Sequence, residues 1–316
     1  MDPIYEQFLK YFQAENIYGC RQLINQPEFD VNHIFTQDEL KRRLQNFDAN
    51  ASSTITLNVL HLIARLGKQW STELIHSILQ LEPSVDLDLP NKEGWTALMM
   101  AARYSNRASS LETVELLIRA GAKLDLQNND GWTALMLASC YSETSSSLQT
   151  VETLIQAGAN LDLQSTNGQT TLMYAAQYSK TDSSLHTVEL LIRARANLDL
   201  QNNQGWTSLM YAVCYSNKTS SLETVELLIR ARANLDLQNN QGWTSLMYAV
   251  RYSNKTSSME TVELLIRAGA NLDLQTKEGW TALILAAANS LTTSSIETVA
   301  TLISAGAKYD LHKRKN

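Results

Sequence analysis

The chain has 316 residues, 44% of them apolar and 18% charged, with a formal net charge of −6. That acidic balance argues against a phosphate-backbone partner, which needs a basic face, and no apolar run approaches the ~20 residues of a membrane span. Neither nucleic acid nor a membrane is expected as a partner.

In chain order, Met1 to Glu6 lacks the basic and apolar segments of a secretory leader, so an intracellular, cytoplasmic protein is expected. Pro3 to Phe12 predicts a helix, with Ile4, Phe8, Leu9 and Phe12 on one face and proline in the first turn. A second helix is expected from Asn16 to Ile24, ended by Gln26-Pro27. Residues 1–35 therefore form a divergent N-terminal helix pair. Residues 36–55 are an insertion, either a solvated excursion or a partner-binding finger. Residues 56–93 are a degenerate copy of the regular repeat. Six regular units then run over 94–130, 131–167, 168–204, 205–241, 242–278 and 279–311, with a short basic tail at 312–316. Their opening, Gly94-Trp95-Thr96-Ala97-Leu98-Met99, recurs at Gly131, Gly168, Gly205, Gly242 and Gly279, always after thirty-seven residues. A fixed period of this kind means stacked supersecondary units that share no single core.

Within the unit at Gly94, Thr96 is placed to cap a helix over Ala97 to Tyr104. Ala101 recurs as Ala138, Ala175, Ala212, Ala249 and Ala286, a small residue where neighbouring helices would approach closely. A second helix is expected to start from an S-x-x-E capping box, Ser109 with Glu112, repeated at Ser220/Glu223, Ser257/Glu260 and Ser294/Glu297. Gln149 and His186 replace the glutamate after Ser146 and Ser183. Val114, Leu117 and Ile118 supply a buried stripe, and Gly121 a left-handed stop. Leu124-Asp125-Leu126-Gln127 alternates with period two, predicting an extended β-hairpin arm that leads to the turn at Asn128 to Gly131.

The G-x-T-[AS]-L-x-x-A opening, the V-x-L-L-I-x-A-G-A ending of the second helix and the hairpin arm resemble the ankyrin repeat. His61 keeps that family's Leu-His dipeptide. The resemblance implies an all-α repeat solenoid of about eight helix pairs with short β-hairpin arms. The asparagine-rich tips and the Gly-Trp-Thr-Ala-Leu-Met wording are most similar to ankyrin proteins of giant viruses of amoebae, which would make this a viral or effector protein acting on host proteins. Four departures stand out. The family period is thirty-three, and the extra residues fall between the helices, as in Tyr252 to Ser258. The proline after threonine is replaced. The histidine becomes Met99, Met136, Met173, Met210, Met247 or Ile284, removing a polar tie. Arg195 and Arg232 stand where the left-handed glycine belongs, at about 1 kcal/mol each.

No catalytic constellation is visible. The histidines at 33, 61, 76, 186 and 312 share no repeat position or ligand spacing, and no serine, cysteine or carboxylate lies in a nucleophile or phosphate-loop motif. Asp125, Asp162, Asp199, Asp236 and Asp273 recur once per layer, ~10 Å apart, too far for an acid/base pair. Cys20, Cys140 and Cys214 lack C-x-x-C spacing, and the repeat geometry keeps Cys140 and Cys214 beyond disulfide reach. Asn217-Lys218-Thr219 and Asn254-Lys255-Thr256 match the glycosylation sequon but read as polar loop without a leader. The expectation is no enzyme, no cofactor and no metal.

Aromatic rows carry the sharper signal. Trp95, Trp132, Trp206, Trp243 and Trp280 come directly after the repeat glycine, with Gln169 interrupting. Tyr104, Tyr141, Tyr178, Tyr215 and Tyr252 end the first helices. The ankyrin resemblance places both rows on the concave face, and Trp and Tyr are enriched at binding hot spots. Two arrangements stay open: exposed rings that bind, or rings stacked on adjacent hairpins. Beside the tyrosines one residue varies, as Arg103, Cys140, Gln177, Cys214, Arg251 and Ala288, and the tips vary too. The expected function is recognition of a protein partner by a monomeric scaffold through Trp95, Trp132, Trp206, Trp243, Trp280, the five tyrosines, Arg103, Gln177 and Arg251. The alternative is a self-associating structural component.

Overall fold

A computed structural model describes residues 2–36, 40, 58–66, 71–80, 85–107, 109–290, 292 and 294–308. The expected insertion at 36–55, apart from Thr36 and Leu40, and the basic tail lie outside the described residues. The chain divides into two units, residues 1–160 and 161–316. In the first, four helix pairs succeed one another: Pro3–Gln13 with Ile17–Ile24, Val59–Leu66 with Ser71–Leu79, Ala97–Tyr104 with Leu111–Arg119, and Ala134–Cys140 with Leu148–Gln156. In the second, Thr171–Tyr178 pairs with Leu185–Arg193, Ser208–Cys214 with Leu222–Arg230, Ser245–Arg251 with Met259–Arg267, and Ala282–Asn289 with Ile296–Ser304. Within each unit the first helices of the regular pairs stack in sequence on one another, and so do the second helices.

Each first helix of the regular pairs starts where a threonine in extended backbone accepts from the N–H three residues on. Thr96 takes Met99 N at 3.3 Å, and Thr207 takes Met210 N at 3.2 Å. The invariant alanine then lies fully buried at Ala101, Ala138, Ala175, Ala212, Ala249 and Ala286, so only a methyl separates adjacent layers.

The second helices begin one residue later than the expected box. Ser110, Ser147, Ser184, Ser221, Ser258 and Ser295 are the caps, each accepting from a threonine N–H, as Ser221 does from Thr224 N at 3.2 Å. Glu112, Glu223, Glu260 and Glu297 therefore fall at the second helical position, and the box does not form. The carboxyls of Glu223 and Glu260 are still held below their usual range by their own backbone N–H and by the capping serine. In four of the six regular pairs the earlier serine has another role. Ser146 bonds Ser105 at 3.2 Å, and Ser220, Ser257 and Ser294 bond Ser179, Ser216 and Ser253 at 3.3–3.4 Å. Thr150, Thr224, Thr261 and Thr298 join the same serines at 2.6–3.1 Å. All these hydroxyls are buried, and each supplies another's missing partner. The enlarged loop between the helices thus becomes a hydroxyl zipper between consecutive pairs. The buried stripe shifts accordingly to Thr113, Val114 and Leu117, while Ile118 is only half-buried.

The arms also differ from expectation. No strand forms among the described residues, apart from an isolated bridge position at Phe35. Two backbone bonds close each tip, such as Asn202 N to Trp206 O at 3.0 Å and Gly205 N to Asn202 O at 2.8 Å, and side chains add to them. Asn202 Oδ1 accepts Gln204 N and Trp206 N, so an amide side chain replaces the next rung of a ladder. Between layers, Gln201 Nε2 donates to Gly205 O and Gln238 O. The recurring aspartates are staples: Asp125 Oδ1 accepts Asn160 N at 2.8 Å, and Asp162, Asp199 and Asp236 accept Asn197, Asn234 and Asn271 N at 2.8 Å.

Gly121, Gly158, Gly269 and Gly306 end second helices at φ 89–93°, and Arg195 and Arg232 occupy the equivalent place at φ 68°. A Cβ at Gly121, Gly158, Gly269 or Gly306 would meet nothing within 4 Å, so the cost of a side chain there is conformational alone. Arg195→Gly and Arg232→Gly are each expected to raise stability by up to about 1 kcal/mol. Denaturant titration of the single variants checks this, and an unchanged or lower midpoint in both would refute it.

Candidate interaction surface

The tips of the second unit hold their tryptophans by the backbone and pack them by the ring. Asn202 and Asn239 fix Trp206 N and Trp243 N at 2.8 Å, and their Nδ2 groups donate to Tyr211 Oη at 2.9 Å and Tyr248 Oη at 2.8 Å. Each tyrosine sits mid-way along a first helix, so the tip is tied to the helix next in the chain. Burial raises both phenols, Tyr211 to about 12, which keeps them protonated at neutral pH. The Trp206 ring centroid lies 5.0 Å from that of Tyr211 and 4.4 Å from that of Tyr248, and Trp243 lies 5.1 Å from Tyr248. The result is a continuous aromatic run, Tyr211, Trp206, Tyr248, Trp243. Arg251 extends it, its guanidinium 5.1 Å from the Trp243 ring and 5.6 Å from the Tyr252 ring. Where Gln169 replaces tryptophan, its amide reaches Gln177 Oε1 at 3.4 Å.

In the first unit, Trp132 stacks with Tyr141 at 6.5 Å. Arg103 lies 3.3 Å over the Tyr141 ring and 5.3 Å from the Tyr104 ring, and it bonds Ser145 Oγ. Trp95 N is held by Asn91 Oδ1 at 2.8 Å. Trp280 in the second unit is held by Thr276 Oγ1 at 3.3 Å.

Every residue of the two expected rows is half-buried: Trp95, Trp132, Trp206, Trp243 and Trp280, and Tyr104, Tyr141, Tyr178, Tyr215 and Tyr252. So are Arg103, Gln177 and Arg251. The sequence pointed to no role for Tyr174, Tyr211 and Tyr248, yet Tyr211 and Tyr248 carry indoles and tips, and Tyr174 meets the Ser165 hydroxyl of its own tip at 3.1 Å. Their one signal was tyrosine on the buried side of a helix, where a hydroxyl needs a partner.

Other chemistry is sparse. Among the described residues no three His, Cys, Asp or Glu side chains are grouped to hold a metal. Cys20, Cys140 and Cys214 are buried thiols, and burial pushes Cys20 to about 12 and Cys214 to about 11, far from a thiolate nucleophile at neutral pH. No helix of the described residues is long and apolar enough to cross a membrane.

A family model described as ankyrin repeats (3 copies) matches residues 28–128, 60–146, 142–220 and 217–313. The chain belongs to the ankyrin repeat family. Among solved structures it is similar to the ankyrin repeat domain of Bcl-3, described as a unique member of the IkappaB protein family. The TM-score is 0.61 and the identity 23%, over 78% of this chain and 97% of that one, a likeness of fold. No curated protein matches. As a class, ankyrin repeats mediate protein–protein interaction and are typically scaffolds rather than enzymes. In this ankyrin repeat protein the buried zipper and the aspartate staples belong to the scaffold.

Proposed function

We propose that this ankyrin repeat protein recognises a protein partner through the face formed by its first helices and tips, with no chemistry of its own. The observation that carries this reading is the run Tyr211, Trp206, Tyr248, Trp243 with Arg251 beside it, half-buried rings fixed from behind by Asn202 and Asn239. Rings held in place by their own scaffold lose little freedom on binding, which is what makes Trp and Tyr effective anchors. In the first unit Arg103, Trp132 and Tyr141 supply the corresponding group. The giant-virus wording of the repeats supports a viral or effector role on host proteins in the host cytoplasm.

The test is affinity capture from the host cell by wild type and by Trp206→Ala, Trp243→Ala and Arg251→Ala, with circular dichroism as the control on folding. Folded variants should lose the captured partner, with single hot-spot losses of about 2 kcal/mol or more. A partner retained undiminished by all three folded variants would remove this face from the function.

A second reading, a self-associating structural component, draws on the last described helix. There Ile296 is 70% and Ile303 52% exposed, large apolar side chains in contact with water. Sedimentation across a concentration series decides it, a constant monomer mass removing the self-association.

A further inference from the structure

We infer that the second unit's face takes one class of segment, a proline-rich stretch in the polyproline II conformation. This rests on the interaction-face reading and narrows it. The first argument is hydrogen-bond polarity. Trp206, Trp243, Tyr215 and Tyr252 are half-buried, and none of their indole N–H or phenol groups makes a hydrogen bond with the described residues. Nearby acceptors are already engaged: Asn202 and Asn239 Oδ1 by tip N–H groups, Tyr211 and Tyr248 Oη by the asparagine amides. Arg251 adds guanidinium N–H groups and no acceptor. The phenol oxygens of Tyr215 and Tyr252 can also accept, so the face offers more donors than acceptors on aromatic ground. A strand or an irregular segment would bring more N–H groups than the two phenol oxygens can take, and a helix would offer free carbonyls only in its last turn. Polyproline II brings bare carbonyls and, where prolines stand, no N–H at all.

Spacing is the second argument. Trp206 and Trp243 both pack on Tyr248, 4.4 and 5.1 Å away, so the sum of those distances bounds their separation. One turn of polyproline II advances ~9 Å in three residues, which lies within that bound and allows one prolyl contact per repeat layer. The near-identity of the units opening at Gly205 and Gly242 then has a use, because a ligand that repeats every turn meets the same ring twice. Proline-rich segments also arrive already ordered, so rigid aromatic grooves suit them at low entropic cost.

The experiment titrates the full chain with labelled decaproline and with a glycine–serine peptide of equal length, read by fluorescence anisotropy. Saturable binding of decaproline with at least about tenfold preference is expected. Trp206→Phe and Trp243→Phe keep one ring between the tyrosines and remove the indole N–H together with the second ring, while Tyr215→Phe and Tyr252→Phe remove only a hydroxyl. Each should weaken binding about threefold to tenfold with the fold intact. No binding, equal binding of the two peptides, or indifference to all four substitutions overturns the proposal. An unbiased library of linear peptides, selected against wild type and against folded Trp206→Ala, separates this from failure of the wider reading. Ladder-dependent peptides without proline leave the interaction face standing and the polyproline assignment refuted. An absence of ladder-dependent peptides refutes both.

Discussion

Replacing Gly205 with alanine is expected to lower stability by about 3 kcal/mol, against about 1 kcal/mol for Gly269→Ala. Both glycines are left-handed, at φ 79° and 89°, so both substitutions carry the same conformational penalty. Their surroundings differ. A Cβ at Gly205 would stand 2.7 Å from Asn240 N and 2.8 Å from Asn239 Cα, backbone that cannot swing aside. Relief would require separating the two tips, which lengthens the bonds from Asn240 N to Gln204 O at 3.0 Å and from Asn240 Nδ2 to Asn203 O at 2.9 Å. At Gly269 the same atom meets nothing within 4 Å. Denaturant unfolding followed by tryptophan fluorescence gives the comparison, and amide exchange locates it, since repeat arrays need not unfold as one. Equal losses at the two positions would show that tip contact between layers contributes nothing.

That contrast indicates which parts of this fold a sequence can show. The threonine caps, the buried alanines and the left-handed Arg195 and Arg232 were legible because each is decided by its own few residues. Where a choice depends on the next layer, the chain alone does not decide. Ser220 and Ser221 are equivalent as candidate caps, and only the approach of Ser179 from the preceding pair assigns Ser220 to the zipper and Ser221 to the helix. The arms alternate like strands, but their partners across the layer are side chains: Asp199 for Asn234 N and Gln201 for Gln238 O. Of the candidate site, the tryptophans and terminal tyrosines were visible as rows. Tyr211 and Tyr248 were not, since on a helical wheel they are simply part of the packed side. Their role needs Trp206 from one layer and Tyr248 from the next to be 4.4 Å apart, a fact of stacking rather than of spacing.

Acidification from about pH 6.5 to about pH 4 is expected to remove about 3 kcal/mol of stability from the first unit through His61. His61 is buried at 1% exposure, and that burial lowers its imidazole to about 4, the backbone of Trp95 and Leu89 pulling partly back. Asn58 and His61 cap one another: His61 N donates to Asn58 Oδ1 at 2.8 Å, and Asn58 N donates to His61 Nδ1 at 3.2 Å. An Nδ1 that accepts carries no proton, so the neutral ring holds its hydrogen on Nε2, and a second proton would both charge a buried ring and break the cap. The unfolded chain meets no such penalty and takes up its proton near 6.5. Between the two values the unfolded state binds more protons, so stability rises with pH and falls as acid is added. The regular pairs show what replaces this histidine. Met173 and Met247 sit at the same step of their helices, and their Sδ atoms accept Thr170 N at 3.5 Å and Thr244 N at 3.4 Å. In these two pairs the polar tie expected to be lost is kept, with sulfur in place of nitrogen and nothing to titrate. His61→Met should leave the fold intact at pH 7 and flatten the acid slope. Side-chain carboxylates that protonate in the same range do so in both proteins, so the difference between the two curves isolates the imidazole. Amide exchange of the helices at 59–66 and 97–104, measured at pH 7, 5.5 and 4.5, should show the loss in wild type only. Parallel slopes in the two proteins would mean that His61 does not stay neutral in the folded chain.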